Sequence, residues 1–290
     1  MRKSSLYLPD RLKAALTERS SQTGRSEAEL IRDALEAALS RPPEPVAPPS
    51  DPPRPGRLVG VGVGPGDDDL LTVRAMAALR RADRVVAPST AIDAVGRAEA
   101  IVRQAVPGVT VERVPFAMAP SRSARNRSVD QAAARLVTYL AAGEEVAWIT
   151  LGDPLVYSTF AAVAARVTKR RPSTVVTQVP GIMAFQALAA RTGTVVADER
   201  TRLTIRTALD GEDLEPDFDD PSSTVVVYKG GRRLPELAEL ARGVGGGRPA
   251  VAGELLGMPG ERVGDLDDMA AGGPASYLAT VIVPAVAPEK

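Results

Sequence analysis

The 290-residue sequence contains no cysteine and no histidine. Disulfides, thiolate nucleophiles, zinc fingers, imidazole ligands and imidazole general bases are thereby excluded together, and no metal centre is expected. Charge of one sign is missing too: 36 Lys plus Arg balance 36 Asp plus Glu, so no whole-molecule field draws in nucleic acid or membrane. No run approaches the roughly 18 to 20 apolar residues of a membrane helix, and the opening MRKSSLYLPDRLK has no secretory apolar core. A soluble cytoplasmic protein is expected. What remains for chemistry is carboxylates, Tyr, Ser, Thr, Lys, Arg and the backbone. A hydrophobic content of 44% over this length is enough for two domains with cores.

The clearest boundary is RPPEPVAPPSDPPRP, in which eight of the fourteen residues after Arg41 are proline. Proline removes backbone donors and fixes φ, so residues 42–56 read as a semi-rigid spacer, spanning on the order of 43 Å at about 3.1 Å per residue. It separates a head, residues 1–41, from a body that starts at Arg57.

In the head, Lys3 to Leu8 alternates as a strand does, with Leu6 and Leu8 on one face and Ser5 and Tyr7 on the other. Pro9 and Asp10 open a helix that Gly24 ends. A second helix begins at Ser26, where Ser26 and Glu29 have capping-box spacing. One strand and two helices are too little chain to enclose a core, so the head is expected to fold as a dimer. The string KSSLYLPDRLKAALTERSSQTGRSEAELIRDALEAAL resembles the ribbon-helix-helix family of DNA-binding proteins. That resemblance implies a strand ribbon presenting Lys3, Ser5 and Tyr7 to duplex DNA. Six basic against two acidic residues in the first 25 agree with it. A head that only dimerises, without binding an operator, is the other reading.

The body opens with an apolar strand, Arg57 to Val63, a glycine turn and a helix expected from about Asp68 to Arg81. GxGxxG spacing fails, since counting from Gly62 the third glycine is Asp67, and no GK[ST] follows. An aspartate there would repel phosphate, so the turn suits a ligand other than a polyphosphate. Strands are expected at 84–87, 109–114 and 145–150, and a helix at 128–142. The strand ending at Thr150 runs into Leu151-Gly-Asp-Pro154, where open α/β sheets bind ligands, with a helix resuming near Tyr157. Beyond Arg171-Pro-Ser173 strands are more frequent: 175–179, 203–207, 224–229, 250–254 and 277–283, with helices at 182–191 and 234–242. The organisation expected is two α/β lobes, residues 57–172 and 173–290, with a binding cleft between them.

Five strings, GVGVGPGDDDLLT (60–72), TLGDPLVYSTF (150–160), VPGIMAF (179–185), VVVYKGGR (225–232) and ELLGMPGERV (254–263), together resemble the tetrapyrrole methylases over about residues 57–284. The similarity is greatest to the branch that methylates precorrin-2 at C-20 in cobalamin biosynthesis. It implies S-adenosylmethionine as cofactor and a tetrapyrrole, with or without cobalt, as substrate. Carried over motif by motif, it implies that Pro65, Gly152, Asp153, Val156, Met183, Ala184 and Lys229 line the cofactor. The family has Pro and Glu after GPGD, whereas Asp68 and Asp69 stand here.

Methyl transfer to a carbon needs no Cys, Ser or His nucleophile, in keeping with the composition. A carboxylate to take the lost proton is sought at Asp67, on the loop tip, with Tyr157 as the next candidate. Asp153 reads as cofactor ligand or turn-former. Among many Arg and only five Lys, the cluster Arg122, Arg125 and Arg127, expected in a polar loop, is a candidate for the substrate's carboxylates or a solvated helix entry. Two function classes stand: a methyltransferase with an accessory dimeric head, or a DNA-binding regulator whose methylase-like body senses a corrin.

Overall fold

The computed structural model describes residues 7–40, 54–117, 121–209, 211, 213–243, 248–273 and 275–286. The chain forms two units, dividing at Pro52 and Pro53.

The first unit is a helical hairpin, α1 (Asp10–Thr23) and α2 (Glu27–Ser40). Pro9 precedes α1, and Gly24, at φ 68°, closes it by donating its N–H to the Ser20 carbonyl at 2.9 Å. The expected capping box is formed. Glu29 Oε2 accepts from Ser26 N and Ser26 Oγ, both at 2.9 Å, and Ser26 Oγ accepts from Glu29 N at 3.4 Å. No residue of α1 is buried, and Leu12, Leu35 and Leu39 are 46%, 51% and 84% exposed. The strand expected over residues 3–8 falls largely outside the described residues, as do Lys3 and Ser5. Tyr7 and Leu8 form no regular structure, and Tyr7 is 96% exposed.

The second unit begins with a parallel sheet. Its strands are β1 (Arg57–Gly62), β2 (Arg84–Ser89), β3 (Val111–Pro115), β4 (Glu145–Thr150) and β5 (Val175–Val179), in the order β3-β2-β4-β1-β5. Helices α3 (Val73–Arg81), α4 (Arg97–Ala105), α5 (Arg122–Ala141) and α6 (Phe160–Arg170) connect them. Both faces are covered, which is why Leu58 to Gly62 are all buried rather than alternating. Val59, Val61, Ala147 and Ile149 point to the α3 and α4 side, while Leu58, Val146 and Trp148 point to the α5 and α6 side.

After α7 (Ala184–Thr192), a second sheet follows. It holds β6 (Arg202–Thr207), β7 (Ser223–Tyr228), β8 (Val251–Glu254), β9 (Arg262–Asp265) and β10 (Thr280–Val283) in the order β6-β7-β10-β8-β9. Among the described strands of this second sheet, β6 and β7 pair in parallel and the other pairs are antiparallel. α8 (Glu215–Phe218), α9 (Leu234–Gly243) and α10 (Leu266–Ala271) pack one face through Val225, Val227 and Val281. α7 covers the other through Val226 and Ile282.

Several expectations are corrected. The first body helix starts at Val73, because Thr72 Oγ1 caps it by accepting from Ala75 N at 3.1 Å, and Asp68–Leu70 form a separate 3₁₀ turn. The helix expected at 128–142 reaches back to Arg122, so Arg125 and Arg127 ride on its exposed first turns rather than in a loop. No helix begins at Tyr157; α6 opens at Phe160. β5 pairs with β1, so the change of sheet comes after Val179 and not near Arg171.

Candidate active site

The carboxyl ends of β1, β2 and β4 face the second sheet across a cavity of about 490 Å³, the position where parallel sheets place ligands. Behind Gly152, which lines it, backbone packs on backbone. A Cβ on Gly62 would lie 2.4 Å from the Gly152 carbonyl oxygen and 2.6 Å from Gly181 N, so three strand-end turns approach as closely as only glycine allows. Gly152 N also donates to the Gly64 carbonyl at 2.9 Å.

Pro65, Gly152, Asp153, Val156, Met183, Ala184 and Lys229, named from the sequence as cofactor-lining, all line this one cavity, and so does Tyr157. Asp153 is also a turn-former: its Oδ1 accepts from Leu155 N at 2.8 Å and its Oδ2 from Gly181 N at 3.2 Å. The Tyr157 hydroxyl donates to the Ile205 carbonyl at 2.7 Å, and its ring stands edge-on to Tyr228 at 6.2 Å. Burial pushes the Tyr228 phenol up to about 12, partly opposed by the amide hydrogen bond from Phe185. The Lys229 ammonium lies 5.9 Å from the Tyr277 ring centroid.

Asp67 is the exception. Its Oδ2 accepts from Arg191 Nη2 at 2.6 Å, and it does not line the cavity. The expected proton acceptor is thus committed to an ion pair, and the geometry does not support the role.

The sequence reading missed Glu99. It is fully buried at the cavity wall, where Arg113 grips it through Nε at 2.6 Å and Nη2 at 2.8 Å, and Arg103 binds it at 2.6 Å. Its carboxyl sits below the ordinary range chiefly through the Arg113 hydrogen bonds. Arg113 also donates to the Ile92 carbonyl at 2.7 Å, tying down the loop that carries Val95 and Gly96 to the cavity. Arg97 lines the same wall and has no hydrogen-bond or ion-pair partner among the described residues. Among the described residues, three that are not glycine have positive φ, Tyr157 at 48°, Lys229 at 60° and Leu255 at 52°, and all three line the cavity. Strain gathered at one site marks function. No string spacing could have shown that.

A model of the Tetrapyrrole (Corrin/Porphyrin) Methylases matches residues 57–270, nearly three quarters of the chain. The chain belongs to this family. Similar to this methylase is the probable cobalt-precorrin-2 C(20)-methyltransferase of Methanocaldococcus jannaschii, 31% identical over 173 residues, covering 60% of this chain and 72% of that one. The precorrin-4 C(11)-methyltransferase of Rhodococcus erythropolis is 34% identical over 214 residues, with 70% and 78% covered. Curated relatives are matched over as little as 28% of their length. Among solved structures, the uroporphyrin-III C-methyltransferase of Thermus thermophilus complexed with S-adenosylhomocysteine superposes with a TM-score of 0.55 at 25% identity, covering 78% of this chain and 97% of that one.

Tetrapyrrole methylases use S-adenosylmethionine, which is therefore this methylase's cofactor. The residues present fit it. The cavity has the size of a small-ligand site. The Thr280 hydroxyl on its wall is fully buried and has no partner among the described residues. Gly152, which lines the cavity, is backed by the backbones of Gly62 and Gly181, so no side chain intrudes from that side.

Proposed function

We propose that this methylase methylates precorrin-2, or its cobalt-bearing form, at C-20 in cobalamin biosynthesis, and that the cavity between its sheets is the reaction site. The observation that carries the reading is the convergence on that cavity of residues from all five sequence strings. The C-20 assignment is supported by the M. jannaschii relative and by two further relatives that carry the same C-20 name. The precorrin-4 C(11) relative is the competitor.

The cofactor supplies an electrophilic methyl group on a sulfonium, open to in-line displacement by an electron-rich carbon of the macrocycle. The chain's part is positioning. Pro65, Val156, Met183 and Leu255 provide apolar wall. Arg97, the lining guanidinium with no described partner, is the group we assign to a carboxylate arm of the substrate, since Arg suits bidentate carboxylate binding. The lining carboxylates, Asp153 and Glu99, have both oxygens in use. The proton leaving the methylated carbon therefore goes to solvent rather than to a carboxylate of the wall.

For the head we infer a dimer, formed through the leucines that its hairpin leaves exposed. We propose further that this dimer binds duplex DNA, as an accessory to the methylase, through the side chains of Lys3, Ser5 and Tyr7. The deciding experiment incubates the purified chain with isotopically labelled S-adenosylmethionine and precorrin-2, with and without cobalt, and in parallel with precorrin-4. Locating the new methyl by NMR at C-20 supports the reading. A methyl at C-11, or turnover of precorrin-4 alone, overturns it.

A further inference from the structure

Asp67 ends the Gly64–Asp67 turn of the first sheet, and its oxygens meet two elements of the second. Arg191, on α7, donates from Nη2 to Asp67 Oδ2 at 2.6 Å. The same guanidinium holds Glu261 through Nε to Oε1 at 2.7 Å and Nη2 to Oε2 at 3.2 Å. Glu261 Oε2 accepts in turn from Gly257 N at 2.5 Å. The backbones beneath are in contact. A Cβ on Gly66 would lie 1.7 Å from the Leu256 carbonyl oxygen, and one on Gly257 would lie 2.2 Å from Asp67 N.

We infer that Asp67, Arg191 and Glu261 form a clasp between the two lobes that sets the width of the cofactor cavity, which makes Asp67 a positioning residue. The clasp is tied to wall on both sides: Pro65 stands two residues before Asp67 on one lobe, and Leu255, Leu256 and Met258 flank Gly257, whose N–H Glu261 holds, on the other. A shift of either turn moves atoms that the cofactor must touch, and a carboxylate already gripped by a guanidinium is a poor proton acceptor. The three side chains are a quarter to a third exposed, which leaves their attraction only partly screened.

The inference rests on reading the cavity as the cofactor site, so two measurements on the full chain separate the two claims. The first is hydrogen exchange of the 254–263 segment without cofactor; the second is steady-state kinetics with varied S-adenosylmethionine. Asp67→Asn, Arg191→Ala and Glu261→Gln should each speed exchange of that segment. Each should raise KM for S-adenosylmethionine about tenfold, the size expected for one charge-assisted contact. Saturated kcat should keep the parent's pH profile, and Asp67→Asn with Arg191→Ala should be no worse than either alone. Asp67→Glu, which retains the charge, should recover most of the affinity. Unchanged exchange in all three variants overturns the clasp. So does an Asp67→Asn chain that keeps its KM but loses kcat and one limb of the pH profile, because that is the signature of a general base. If exchange quickens and the parent takes up no S-adenosylmethionine, the clasp stands and the assignment of the cavity fails.

Discussion

Glu99 shows how one buried carboxylate can hold a wall. Its two oxygens bind Arg103 and Arg113, and neutralising it strands both guanidiniums. Glu99→Gln should therefore cost about 3 kcal/mol in urea unfolding at neutral pH. The Arg113 hydrogen bonds lower the folded-state pKa below the unfolded value of 4.5. The contribution is thus present above that value and lost as pH falls through the folded pKa, so the Gln variant should lose less stability than the parent on acidification. Tyr228 has the opposite sign. Burial raises its phenol to about 12 from 10, so its contribution is full below pH 10 and lost as pH rises through 12. In a spectrophotometric titration of the five tyrosines, Tyr228→Phe should remove the latest step. An unchanged curve would contradict the burial. At this scale the sequence was legible where a string sits at a strand end, as with Pro65, Gly152 and Met183. It was not legible for Asp67, because nothing local announces an arginine 124 positions away.

The elements meet where Gly62, Gly152 and Gly181 bring three turns together, and that contact is testable by adding one carbon. Gly62→Ala should spread the turns, lower the midpoint of thermal unfolding and abolish detectable binding of S-adenosylmethionine by calorimetry. Gly243→Ala, where a Cβ meets nothing within 4 Å, should leave both unchanged. If the two variants behave alike, close approach is not what these turns require. Strands such as β1 and β4 were readable because a parallel sheet buried on both faces writes a continuous apolar run. α4 was not: it is short, and Gly96 caps it without a side chain. The sheet to which β5 belongs was equally hidden, since pairing with β1 is a long-range choice that the composition after Arg171 does not record.

For the whole molecule, the division at Pro52 and Pro53 predicts separable parts. Arg54 and Gly56 pack on the body, Gly56 through its carbonyl to Val175 N at 3.1 Å, so the cut belongs before Pro53. Residues 53–290 should retain methyl transfer with the parent's KM for S-adenosylmethionine. Residues 1–45 should sediment as a dimer, and Leu12→Asp with Leu35→Asp should make them monomeric or unfolded by circular dichroism. A monomeric parent head would retire the dimer. In the body, Tyr157, Lys229 and Leu255 each hold a left-handed backbone that costs about 1 to 2 kcal/mol for a residue with a side chain. Glycine would relieve that strain at Lys229 and Leu255, whereas at Tyr157 it would also remove the hydroxyl bond to the Ile205 carbonyl. The side chains at those turns are thus held at a cost in stability, and a chain rebuilt for heat alone would take glycine at Lys229 and Leu255 and surrender rate for persistence.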